Sequence, residues 1–191
     1  GTSTTPERWT PERIAQAIAA LAAGGGSSGG RQFIKAADFL WFDTESTDLT
    51  GVQKAQLDTG SYSMEGIGLI SDSTVEQNGV LKATFNHPDG TTGWKTTGCL
   101  RFKYWADSNV STNCRIDSIL VKGADGAGTF TTVYTSTTDR SVTTAATPEV
   151  LEIDVVDFAS STVFEYYVVE ILVTTKDSLA LYVNSVEAIF A

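Results

Sequence analysis

The sequence predicts an all-β fold, a jelly-roll-type antiparallel β-sandwich over residues 31–191. A short N-terminal α-helix and a Gly/Ser tether precede it as an arm over residues 1–30. Three observations carry this reading. The 191 residues include 27 Thr and 17 Ser, and beyond Arg31 the apolar residues fall in short runs with many β-branched and aromatic members. Turn chemistry recurs between the runs: Asp58-Thr59-Gly60, Asn78-Gly79, Pro88-Asp89-Gly90, Ser108-Asn109, Gly123 to Gly126, Thr147-Pro148 and Lys176-Asp177-Ser178. Several runs also alternate with the period of two that gives a strand one buried and one solvated face.

The arm comes first. Thr5-Pro6-Glu7-Arg8 is repeated as Thr10-Pro11-Glu12-Arg13. Each is a helix start, because Thr caps free N–H groups, Pro fits the first helical position and Glu complements the dipole. The second copy leads into Ile14–Ala23, where Ile14, Ile18 and Leu21 share one stripe among alanines. About ten residues are too few for a helix to stand alone in water. The stripe therefore predicts attachment to a partner, to copies of itself or to its own β domain. The run Gly24 to Gly30 is a flexible tether, which favours a partner, although engineered linkers have the same composition.

Strands are expected near 33–42, 52–57, 66–71, 80–86, 98–105, 114–122, 129–135, 149–156, 163–174 and 179–190. With no helices between them they make a sandwich or barrel. Leu100, Phe102 and Tyr104 alternate with Arg101 and Lys103, and Leu151, Ile153 and Val155 alternate with Glu152 and Asp154. The run 163–174 is apolar on both faces. Tyr167, Val169, Ile171 and Val173 are read as core, and Phe164, Tyr166, Val168 and Leu172 as a second face that meets another subunit. A hairpin turning near Asp107 to Ser111 would pair Tyr104 with Cys114 and point Cys99 outward, so free thiols are expected.

Function is constrained mainly by what is scarce. No run approaches the ~20 apolar residues of a membrane helix, no secretory signal is read, and no membrane partner is expected. The formal charge is -10, which argues against nucleic acid. Eight acids against one base in residues 141–191 read as a solvated face or as a docking surface for a basic partner or divalent cations. One His, one Met and two Cys leave little material for a metal centre or a histidine triad, so neither enzyme activity nor a cofactor is expected. His87 sits in turn chemistry and is read as exposed. Asp43 with Glu45, and Glu152 with Asp154, are carboxylate pairs without a visible cleft. The run Lys122–Gly126 offers oxygen ligands for calcium only weakly. The N-terminal Gly fits a loose myristoylation pattern, and Asn109-Val110-Ser111 is a glycosylation sequon in form. Trp94 and Trp105 stand near polar groups and are the candidate carbohydrate contacts, against a plain packing role.

Three stretches carry a family resemblance: Arg101–Trp105 followed by Arg115–Gly123, Phe164–Val173, and the closing Leu179–Phe190. The β domain resembles jelly-roll virion proteins of tailed bacteriophages, of the capsid decoration, head-fibre and tail-fibre type. The resemblance implies a homotrimer in the virion without catalytic residues, bound to capsid, neck or tail proteins through Ile14, Ile18 and Leu21. The function expected from it is structural, as a decoration, cement or head-fibre protein. The alternative is a receptor- or carbohydrate-binding sandwich, such as a tail-fibre tip, that contacts a host surface glycan.

Overall fold

A computed structural model describes residues 30–43, 49–58 and 63–191. The expected helix, its Ile14, Ile18 and Leu21 stripe and the tether up to Gly29 lie outside the described residues.

Among the described residues there are eleven strands: β1 (Arg31–Lys35), β2 (Leu40–Asp43), β3 (Leu49–Asp58), β4 (Ser63–Ser71), β5 (Gln77–Asn86), β6 (Leu100–Ala106), β7 (Cys114–Ala124), β8 (Phe130–Ser136), β9 (Glu149–Ile153), β10 (Tyr166–Thr175) and β11 (Ala180–Ile189). One sheet has the order β3-β4-β11-β6-β9, with β1 also paired to β11, and the other has the order β2-β5-β10-β7-β8. Every pairing is antiparallel. From β4 onward this is the jelly roll, with β4-β11-β6-β9 packed on β5-β10-β7-β8. Each step from β4 to β11 changes sheet, except the step from β7 to β8.

That topology corrects the expected hairpin. β6 and β7 lie in opposite sheets, and residues 107–113 cross the sandwich between them. Tyr104 pairs with Val183 and Glu149, and Cys114 with Thr175. Cys99 does not point outward. It is fully buried, and its Sγ donates to the Ile153 carbonyl at 3.2 Å. Both thiols are free, and burial pushes the Cys99 pKa up to about 12.

The expected strand 33–42 is two strands in opposite sheets. A 3-10 turn at Ala36–Asp38 divides them, and the Lys35 N–H donates to the Asp38 carboxylate at 2.9 Å. The same device ends β9, where the Asp154 N–H donates to Asp157 at 3.3 Å before a turn at Val155–Asp157. In each case an Asp three residues on supplies the acceptor that the sheet no longer provides.

The core forms where the alternation places it. Leu100, Phe102, Ile153, Tyr167, Val169 and Ile171 are buried, with Leu151 half-buried against them. Two register shifts adjust the pattern. In β7 the register against β10 slips at Asp117, so Ile116 and then Ile119 and Val121 face inward. In β11 it slips at Asn184, so Val183 and then Val186 and Ala188 do.

Both ends of the domain's path meet at one end of the sandwich. The Phe190 N–H donates to the Gly30 carbonyl at 2.8 Å. Gly30 itself packs against Pro88 and Thr91 so closely that a Cβ there would fall 2.7 Å from the proline ring.

Candidate functional site

The end of the sandwich next to Gly30 carries an open groove of about 790 Å³, lined by Gln32, Asn86, His87, Pro88, Asp89, Val163, Phe164, Glu165 and Tyr166. Its volume lies within the ~300–1,000 Å³ range of small-ligand sites. Three chain segments build it. β5 and β10 pair as far as Asn86 with Tyr166, and the His87 N–H extends the ladder by donating to the Glu165 carbonyl at 2.9 Å. The two lips are thus the adjoining ends of neighbouring strands. Gln32 arrives on β1 from the opposite sheet.

The loop after β5 is held by its own side chains. Thr91 Oγ1 donates to the Pro88 carbonyl at 2.8 Å and lies 2.9 Å from His87 Nε2. The His87 ring meets the Phe190 ring edge-on, with centroids 4.7 Å apart. This partial burial, opposed by the charge of Asp89, holds the His87 pKa below its ordinary value. His87 is therefore a half-buried wall of the groove rather than the exposed turn residue the sequence suggests.

The residues singled out from sequence divide. Phe164 and Tyr166 line the groove together but do not share a strand face. β10 starts at Tyr166, so Phe164 falls outside its alternation. The Phe164 N–H donates to Tyr167 Oη at 3.0 Å, its ring stands edge-on to Tyr167, and it fills the space over Gly123, where a Cβ would come within 2.1 Å of it. It thus packs toward the core, and the second-face reading of Phe164 is corrected. Tyr166, Val168 and Leu172 do face outward and are half-buried. Between Val168 and Leu172, Glu170 pairs with Lys82 and Lys122 at 3.5 and 3.3 Å.

Neither tryptophan offers a surface. Trp94 is 6% exposed, stacked on Phe190 and edge-on to Phe85, Phe158 and Tyr167. Trp105 faces out of its sheet, as its parity requires, yet it is only 2% exposed. Its ring stacks on Tyr182 with centroids 5.3 Å apart, and a Cβ at Gly66 of β4 would fall 2.2 Å from Trp105 Cη2. Glycines at 66 and 68 leave room for both rings to lie along the sheet. Burial takes both tryptophans away from ligand contact.

Of the carboxylate pairs read from sequence, Asp43 with Glu45 is not among the described side chains, and Glu152 with Asp154 is held by the fold. Glu152 pairs with Arg101 at 3.0 Å, and Asp154 accepts the Gly98 N–H at 2.6 Å. Asp125 accepts the N–H groups of Ala127 and Thr129, so this oxygen of the loop considered for calcium is held by its own backbone. Among the described residues, no group of three or more His, Cys, Asp or Glu is placed to hold a metal ion. The groove is not legible in the sequence because its members stand at the ends of three separate strands.

No protein-family model and no curated protein sequence matches the chain. Solved structures similar to it include carbohydrate-binding modules. The family 11 module from Clostridium thermocellum, in complex with a β-1,3-1,4-mixed-linked tetrasaccharide, is 14% identical, with 85% of this chain and 96% of that chain covered at a TM-score of 0.47. TmCBM61, in complex with β-1,4-galactotriose, is 11% identical, with 82% and 90% covered at a TM-score of 0.43. Likenesses of this degree carry no argument about ligand or mechanism, which rest on this chain's own strands and side chains.

Proposed function

We propose that this protein is a non-catalytic jelly-roll module that binds a saccharide in the groove between β5 and β10. The observation that carries the reading is the lining. Tyr166, on the outward face of β10, and the half-buried Phe164 line the groove beside Gln32, Asn86, Asp89 and Glu165, and these four polar side chains have no hydrogen-bond partner among the described residues. A sugar ring needs this combination, an apolar surface for its C–H face and free donors and acceptors for its hydroxyls. Cleavage of a glycosidic bond would need a carboxyl kept protonated by burial. Asp89 and Glu165 are both exposed, so binding rather than hydrolysis is the reading.

A glycan array probed with the intact chain tests it, followed by titration of the best ligand. Tyr166→Ala should weaken binding by at least about tenfold, roughly 1.4 kcal/mol, while the melting temperature stays close to the parent's. No saccharide bound at about 1 mM, the weak end of specific affinity, would refute the reading.

A second reading, self-association into the trimer that a phage virion protein would form, rests on the outer face of β10, which bears on association alone. There Tyr166, Val168 and Leu172 are half-buried, Phe130 beside Tyr166 is 51% exposed and Leu40 is 67% exposed, an apolar surface that a neighbouring subunit would cover. Light scattering at micromolar concentration should then give three times 20.4 kDa, and Val168→Lys with Leu172→Lys should return the monomer. A monomeric parent would remove this reading and leave the saccharide reading intact.

A further inference from the structure

The charge of the groove deepens the saccharide reading and rests on it. We propose that the saccharide taken by this groove carries free amines, as an oligomer of deacetylated hexosamine does. The lining contains two carboxylates, Asp89 and Glu165, and no Lys or Arg. Neither carboxylate has an ion-pair partner among the described residues. Three of the bases on the neighbouring strands are engaged elsewhere. Arg31 pairs with Glu187 at 3.2 Å, and Lys82 and Lys122 both pair with Glu170.

His87 does not oppose this polarity. A Thr hydroxyl has one hydrogen, and that of Thr91 goes to the Pro88 carbonyl. Its oxygen can then meet His87 Nε2 only as acceptor, so Nε2 carries the proton. A neutral ring protonated at Nε2 leaves Nδ1 as a lone pair, and Nδ1 has no partner among the described residues. The partial burial that lowers the His87 pKa keeps the ring in this form near neutral pH. The groove thus presents two carboxylates as acceptors, beside the amides of Gln32 and Asn86. An ammonium group brings three donors and the complementary charge. A uronate or sulfate would bring like charge into a groove with no cation to receive it.

Titration of the intact chain at pH 6, where the sugar amines are charged, tests the proposal with three probes. They are deacetylated chitotetraose, fully N-acetylated chitotetraose and tetragalacturonate. The expected result is at least about tenfold tighter binding of the free-amine tetramer than of its acetylated counterpart, with no binding of the galacturonate. The preference should shrink as NaCl rises to about 0.5 M, because exposed charges are screened. It should vanish in the double variant Asp89→Asn, Glu165→Gln, read as the ratio of the two chitotetraose affinities in that variant. Equal affinity for the two chitotetraoses, or tighter binding of the galacturonate, overturns the charge assignment and leaves the saccharide reading standing. A preference that survives in the double variant assigns the attraction to the general charge of -10 rather than to the groove, and also overturns it. Failure of all three probes together with every glycan on the array overturns both.

Discussion

Ile153→Asp is expected to leave the domain unfolded. Ile153 closes β9 opposite Leu100, is 2% exposed and belongs to the main core. Its carbonyl also receives the Cys99 N–H at 2.9 Å and the Cys99 thiol at 3.2 Å, so the backbone has little room to turn the new side chain outward. An unpaired carboxylate there costs several kcal/mol even after relaxation, which is of the order of the ~5–15 kcal/mol that holds a domain together. Protonation would remove the charge and still leave a buried polar group unsatisfied. Far-ultraviolet circular dichroism and a thermal melt decide the matter. A variant that folds and melts with the parent would mean that β9 pairs in the other register.

Trp94→Ala is expected to lower stability by about 3–5 kcal/mol, the range for removal of a large buried aromatic. Trp94 comes from the loop between β5 and β6 and joins parts of the fold that the strand ladders leave separate. Its ring contacts Phe85 of β5, Tyr167 of β10, Phe158 beyond β9 and Phe190 beyond β11, and its backbone bridges Phe190. Deletion of the ring leaves a hole at the centre of four others, which cannot all collapse into it. Urea unfolding reads the loss directly, and Trp94→Phe should recover part of it. A loss below about 1 kcal/mol would return Trp94 to the surface and to the candidate sugar contacts.

The sequence displayed the strands and their inner faces because period two is written in neighbouring residues. Leu100 and Phe102 against Arg101 and Lys103 need no knowledge of any other strand. Partnership between strands is not written that way. The β6–β7 hairpin was the natural reading of two strands joined by seven residues, yet in a jelly roll such a connection crosses between sheets, and nothing in residues 107–113 distinguishes the two cases. Trp105 shows the same limit. Its outward parity is legible, but its burial depends on glycines at 66 and 68 in another strand. Phe164 was misassigned because the alternation was extended two residues beyond the start of β10. The groove was least legible, since Gln32, the run 86–89 and the run 163–166 become one surface only when β5, β10 and β1 end together.

The close packing of Gly30 on Pro88 has a consequence for valency. Pro88 is part of the groove wall, so the chain enters the domain beside the groove rather than at the far end of the sandwich. A binding unit joined through the segment before Gly30 would be tethered from the groove's own end of the sandwich and could engage the same polymer. The second contact would then be an intramolecular event at high effective concentration, and weak sites could hold tightly together. If the preceding segment instead anchors the domain to a larger body, the groove lies at the anchored end of the domain.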